Sequence, residues 1–347
     1  MAVMKGIWWT GKDKLELRRD VEIPEVGPGM VKVKIAYSAL CATDMHMVSM
    51  RVMGAKFVEG GRSMGHEASG VIVEAGTGPE VENTGLKVGD KAAIFPGSNC
   101  GQCENCRRGL GQYCLRRAQG GIGGTFAEYV VIRASSAFKI PDDGDLQKYA
   151  LVEPTVCTIR AMDLSPIKHG QTVMVSGIGG IGSILLDLVI HSGASRITVS
   201  DPVQQKRENG LAMGAQYSID PSRENVAERA MEITGGYGFD HVFEVSGVPA
   251  AAQGALDSIT RTGTVTYFAV YPPPYELPLN LHSLYMKEGR IQTVFTSPLL
   301  VPRAINLIPR LQMDKIIGKI YDLEDGMEAI EMFHKSIYPK ILLKCNQ

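Results

Sequence analysis

Cys100, Cys103, Cys106 and Cys114 follow the spacing C-x2-C-x2-C-x7-C within a loop that also carries Gly and Asn. Four thiolates so close in sequence can meet one ion, and a tetrahedral four-sulfur zinc site has no position open to substrate, so this reading gives the lobe a structural role. A ferredoxin-like iron–sulfur cluster competes with it, because the first three spacings match one. A second set is dispersed: Cys41-Ala42-Thr43-Asp44-Met45-His46, then Gly65-His66-Glu67, then Glu153-Pro154. One thiolate, one imidazole and one or two carboxylates suit zinc, and a position left to water or substrate would make that ion catalytic. Taken singly, Cys41 reads equally as a small core residue, His66 as a satisfied polar group, and Glu67 or Glu153 as a surface carboxylate.

Gly177-Ile178-Gly179-Gly180-Ile181-Gly182 follows an apolar strand and opens a helical stretch, the context that turns a glycine pattern into a phosphate site. Gly177 permits a tight turn, Gly179 lets the backbone approach a pyrophosphate, and Gly182 allows helix and strand to touch. Free N–H groups at the helix start, at Gly180 and Ile181, then face the anion. Asp201 ends the next strand, where a carboxylate accepts hydrogen bonds from the adenosine ribose hydroxyls and repels a 2'-phosphate. NAD is favoured over NADP, although Lys206 and Arg207 soften the repulsion. Ser246, Phe268, Ala269, Val270 and Val294 stand near strand ends, where backbone groups can reach a nicotinamide amide.

The elements that position these residues fall into two kinds. Up to about residue 140 the chain reads as short strands broken by Gly and Pro, such as Met30 to Ile35, Ala68 to Glu74 and Glu128 to Ile132. From Thr172 it alternates strand and helix, with strands expected at Thr172 to Ser176, Arg196 to Ser200, Gln216 to Ile219, His241 to Val245, Thr264 to Ala269 and Ile291 to Phe295. That pattern is an α/β fold with a six-stranded, doubly wound parallel sheet beside a β-rich domain. Helices near Val301 to Gln312 and Gly326 to Lys335 and a strand at Lys340 to Lys344 are expected to return the tail to the first domain.

With 347 residues, 44% of them hydrophobic, the chain can bury the cores of two domains. Its 36 basic and 37 acidic residues nearly cancel, which leaves no bulk electrostatic case for nucleic acid or an anionic membrane. No run approaches the roughly 18 apolar residues of a membrane span, and Met1 to Gly6 lacks the features of a signal peptide, so the expected setting is cytoplasmic. In a long chain of that kind seven cysteines read as metal ligands before disulfides.

Taken together, Cys41-x-Thr43-Asp44-x-His46, Gly65-His66-Glu67, the four-cysteine lobe, Glu153-Pro154 and the glycine loop resemble the zinc-containing medium-chain dehydrogenases. The branch they resemble holds sorbitol, xylitol, butanediol and threonine dehydrogenases, and the likeness runs from Lys5 to Cys345. The resemblance implies a GroES-like catalytic domain from residues 1–150 and 297–347, with the zinc lobe at 95–116, and an inserted Rossmann NAD-binding domain at 151–296. It implies that Cys41, His66 and Glu67 hold catalytic zinc, with Glu153 either joining the ion or holding its water. It also implies a homodimer or homotetramer. The reaction would be reversible oxidation of a secondary alcohol of a polyol or sugar alcohol, phosphorylated or not, with hydride passing to NAD. Thr43, the cofactor ribose and His46 would form the proton relay, and Asp44 would orient His66.

L-threonine or a vicinal diol is the alternative substrate, a zinc-free quinone-reductase relative is a further rival, and a non-catalytic, NAD-responsive, zinc-stabilised binding module is the rival from another class. Two features depart from the polyol enzymes. The stretch Val294-Phe295-Thr296-Ser297 lacks the arginine they carry at the sheet end, and the short loop Leu115 to Thr125 contains Arg116 and Arg117. Met47, Met50, Met53 and Phe57 read either as pocket approach or as irregular core.

Overall fold

The computed structural model describes residues 2–49, 61–97, 99–116, 124–272 and 274–346. Its first eight strands are β1 (Val3–Gly11), β2 (Lys14–Glu22), β3 (Met30–Ala39), β4 (Arg62–Ser63), β5 (Glu67–Ala75), β6 (Lys91–Ile94), β7 (Tyr129–Arg133) and β8 (Ala137–Lys139). They pair antiparallel. In β3, Val31, Val33 and Ile35 are fully buried while Lys32 and Lys34 between them stay partly exposed, the period-2 pattern of a strand with one face on the core.

A parallel sheet follows: β9 (Thr172–Ser176), β10 (Arg196–Ser200), β11 (Tyr217–Ile219), β12 (Phe239–Glu244), β13 (Ile259–Tyr267) and β14 (Arg290–Thr293), in the order β11-β10-β9-β12-β13-β14. Val173, Met174 and Val175 of β9 are buried on both faces, as a central parallel strand requires. The winding reverses between β9 and β12, and ligands of such sheets bind beyond the strand ends at that switch point. The chain then returns. β15 (Ile317–Asp322) runs parallel to β16 (Lys340–Lys344), which pairs antiparallel with β3 and so completes the sheet of the first region. Among the described residues no helix is long and apolar enough to cross a membrane.

Among the elements that differ from the sequence expectation, β14 is Arg290–Thr293 instead of Ile291 to Phe295, the helix expected to Gln312 is Val301–Leu307 with a 3-10 turn after it, and two more differ as follows. β13 begins at Ile259, five residues before Thr264, because a polar stretch with Thr262 at φ +62° hides its start. The helix Val152–Leu164 is absent from that reading because of Pro154. A proline in the first turn removes no intrahelical hydrogen bond, and the helix packs on the one that the glycine loop opens while also touching β5. One helix thereby joins the two regions and carries Glu153 between them.

Candidate metal centre and dinucleotide cleft

The dispersed metal set and the glycine loop open on a single cleft of about 1470 Å³, walled by both regions. Cys41, Thr43, Asp44, His46, His66, Glu67 and Glu153 line it, as do Gly177, Gly179, Gly180, Ile181, Gly182, Asp201, Lys206, Ser246, Phe268, Ala269, Val270 and Val294. Met47 lines it too, whereas Met50, Met53, Phe57 and Arg117 lie outside the described residues. Arg116 is exposed and has no part in the cleft wall.

At the metal end Cys41 caps the helix Ala42–Val48 and Glu67 opens β5. Sγ of Cys41, a ring nitrogen of His66 and a carboxylate oxygen of Glu67 lie within 4.8 Å of one another. Glu67 is fully buried; its Oε2 accepts from Lys340 Nζ, while Oε1 has no hydrogen-bond partner. An orphaned buried oxygen costs about 1–3 kcal/mol or more, and a dication between the thiolate and the imidazole would satisfy it. The donor set fits zinc.

His66 Nδ1 lies 3.0 Å from Asp44 Oδ1, which also accepts from the Gly65 N–H at 3.1 Å, and this leaves Nε2 for an ion. Burial pulls the imidazole down, but the charges of Asp44 and Cys41 outweigh it and hold its pKa well above the ordinary value. Asp44→Asn removes that charge, and zinc affinity at this centre is expected to fall about 10-fold, within the about 10–100-fold range of such partners. Competition with a chromogenic chelator measures it; unchanged affinity would leave Asp44 without this role.

Glu153 stands outside the close triple of ligand atoms. Burial, aided by the Glu67 and Asp44 carboxylates and opposed by His66 and Lys340, pushes its carboxyl up to about 7. One turn along the same helix, Cys157 Sγ lies 3.8 Å from Glu153 Oε1 and 3.5 Å from Thr296 Oγ1, either of which can take its single S–H. Cys157, Thr296 and Lys340 belong to this end of the cleft, and the sequence reading assigned none of them. The four-residue helical spacing from Glu153 was a usable signal for Cys157. Lys340 and Thr296 had no such signal.

In the glycine loop Gly177 has φ +95°, and a Cβ there would lie 2.8 Å from the Ser246 nitrogen. A Cβ on Gly182 would strike the Gly177 carbonyl oxygen at 1.8 Å. Gly179 is different: a Cβ there meets no protein atom within 4 Å, so the chain's own packing does not require its bareness. An external group approaching the backbone would. Asp201 is anchored by N–H groups of Ile178 and Val203, each at 2.9 Å. Arg207 is committed to the Asp201 and Pro202 carbonyls and to Asp220, so Lys206 alone of the two cations faces the cleft, where its ammonium donates to Ser336 Oγ at 2.7 Å. Burial lowers the Lys206 pKa. Ser246 is clamped by Glu244, which accepts from its N–H and hydroxyl, from the Gly247 N–H and from the Tyr271 hydroxyl.

The four lobe sulfurs also lie within 4.8 Å of one another, with pairs at 3.5 and 3.9 Å. Tetrahedral zinc with Zn–S of about 2.3 Å sets its sulfurs about 3.8 Å apart, whereas a polynuclear cluster interposes several atoms between them. The spacing fits a single ion. Backbone N–H groups of Cys103 and Arg116 donate to the sulfurs of Cys100 and Cys114. Backbone donors from Cys106 and Leu115 pull the Cys103 thiol down to about 6, while burial pushes Cys106 up to about 12. Four thiols this close cannot all ionise without a cation. Tyr113 of the lobe stacks on Phe295 at 5.8 Å, which ties it to the segment that borders the cleft.

Family models describe the same two halves: residues 27–142 match the alcohol dehydrogenase GroES-like domain and residues 180–310 match the zinc-binding dehydrogenase domain. An L-threonine 3-dehydrogenase from Pyrococcus abyssi is 33% identical over 282 residues, 81% of this chain and 78% of that protein. The sorbitol dehydrogenase of Bacillus subtilis is 30% identical over 89% of this chain and 88% of its own length. Among solved structures, 2R,3R-butanediol dehydrogenase from Bacillus subtilis superposes with a TM-score of 0.85 at 26% identity, covering 99% of this chain and all of that one. The chain belongs to the zinc-binding medium-chain alcohol dehydrogenases, and it is an oxidoreductase rather than a zinc-stabilised binding module.

Proposed function

We propose that this protein oxidises a secondary alcohol of a polyol or sugar alcohol to the ketone, reversibly, with hydride passing to NAD. The observation that carries the reading is that a Cys–His–Glu triple with an orphaned carboxylate oxygen shares one cleft with a glycine loop whose Gly179 is crowded by no protein atom. Zinc, when bound, supplies a Lewis acid that makes an alcohol hydroxyl ionisable near neutral pH. Cys41, His66 and Glu67 hold it, and Glu153 serves it directly or through water. Asp44 fixes the imidazole. Thr43 and His46, both on the helix Ala42–Val48 at the cleft wall, would serve as the relay that carries the hydroxyl proton outward, with the ribose of a bound dinucleotide between them. The glycine loop and Asp201 hold the dinucleotide, and the Asp201 carboxylate disfavours a 2'-phosphate. Cys100, Cys103, Cys106 and Cys114 hold a second, structural zinc. The working assembly is a homodimer or homotetramer in the cytoplasm, with residues 1–150 and 297–347 as the catalytic domain and 151–296 as the dinucleotide domain.

Cys157 beside Glu153, and Thr296 beside Cys157, add a thiol and a hydroxyl to the cleft lining, groups that can hydrogen-bond a polyhydroxy chain. The Pyrococcus abyssi relative favours threonine as the second reading. Absorbance at 340 nm across sorbitol, xylitol, hexitol phosphates, 2,3-butanediol and L-threonine decides between them. A polyol is expected to exceed threonine in kcat/KM by at least about 10-fold, and NAD to exceed NADP by a similar factor. Threonine as the best substrate would overturn the polyol assignment while leaving the zinc and cofactor roles standing.

A further inference from the structure

Asp201, Lys206 and Ser336 line the same end of the cleft, and a hydrogen bond between distant parts of the chain crosses it. Lys206, on the helix Gln204–Met213 of the parallel-sheet half, is 5% exposed, and its ammonium donates to the Ser336 hydroxyl at 2.7 Å, 130 residues later. Ser336 follows the helix Gly326–His334, and its N–H closes that helix on the Phe333 carbonyl at 3.0 Å. Its φ is +56°, the left-handed conformation that glycine fills at a helix end without strain. Closing the helix needs only the backbone at 336, yet a strained side chain stands there and its hydroxyl goes to the ammonium. We propose that Ser336 is a positioning residue that sets cofactor specificity: by holding the Lys206 ammonium away from Asp201, it leaves that carboxylate free of a counter-ion, able to accept the ribose hydroxyls and to repel a 2'-phosphate. This rests on the dinucleotide role proposed above.

The argument turns on where the ammonium goes without the hydroxyl. Asp201 is close enough for its charge to act on Lys206, yet among the described residues the two form no ion pair. Each Asp201 oxygen accepts one N–H, from Ile178 or Val203, and keeps further acceptor capacity. A buried ammonium that loses its acceptor must find another, and Asp201 is the carboxylate within its field. Pairing them would occupy the oxygens that a ribose needs and neutralise the charge that excludes a phosphate. NADH would lose an acceptor while NADPH lost a repulsion.

The test measures NADH and NADPH affinity by fluorescence, and Tm by calorimetry, on the full chain. Ser336→Gly removes the hydroxyl and the strain together. NADH is expected to bind about 5-fold more weakly and the preference for NADH over NADPH to fall at least about 5-fold, while Tm does not fall. Ser336→Ala repeats the loss of affinity with a Tm below that of the Gly variant, because it keeps the strain. Ser336→Asn, which tolerates the left-handed conformation and offers a side-chain carbonyl, holds affinity and preference to within about twofold of wild type. In a Lys206→Ala background, Ser336→Gly changes NADH affinity by less than about twofold. A Gly variant with wild-type affinity and preference, or a loss equally large without Lys206, overturns the proposal. A wild-type chain that binds neither dinucleotide, or prefers NADPH, overturns the dinucleotide reading instead.

Discussion

Cys41→Ser is expected to lower kcat/KM for the best alcohol at least about 10³-fold, while NADH still binds. The thiolate is the strongest donor in a set whose other members are an imidazole and a carboxylate already shared with Lys340, so its loss releases the ion. Without the Lewis acid the hydroxyl stays protonated at neutral pH and hydride departure has no driving charge behind it. The dinucleotide stays because its loop and Asp201 belong to the parallel-sheet half of the cleft. Elemental analysis should fall from two zinc ions per chain to one. Near-normal turnover with two ions retained would remove Cys41 from the metal centre.

Cys106→Ser acts on the lobe. Three remaining thiolates hold zinc poorly, and a four-residue helix, Glu104–Arg107, with a 3-10 turn at Gly111–Tyr113 has little core of its own. The expected result is loss of one zinc, rapid proteolysis within 99–116 and a fall in Tm of roughly 5 °C or more, with hydride transfer surviving in the fraction that remains folded. Calorimetry, limited proteolysis and active-site titration read these separately. A variant that lost hydride transfer at unchanged Tm and unchanged oligomeric state would show that the lobe serves the chemistry and not the scaffold.

The glycine loop and the lobe cysteines were legible because their spacing is local: backbone geometry within a dozen residues decides whether N–H groups or sulfurs can converge. The strands β9, β10 and β16 were legible at their full lengths because apolar runs bounded by turn residues leave few alternatives. Lys340 was not. A lysine at the start of a strand reads as a solvated edge charge, and only the antiparallel pairing of β16 with β3 brings it to Leu40 and Glu67, 300 and 273 residues earlier in the chain. Thr296 is hidden for the same reason, since its contact with Cys157 spans 139 residues. β13 was shortened by a polar start, and the helix bearing Glu153 was missed because proline argues against helix everywhere except in its first turn.

The position of β16 between β15 and β3 has a consequence for how the protein is made. Synthesis delivers this segment after every strand it pairs with, and until it has emerged the nascent sheet lacks an inner member, β15 has no strand to lie against, and the carboxylate of Glu67 lacks the Lys340 ammonium. The Lys340 ammonium therefore reaches Glu67 only after the whole parallel sheet has been synthesised.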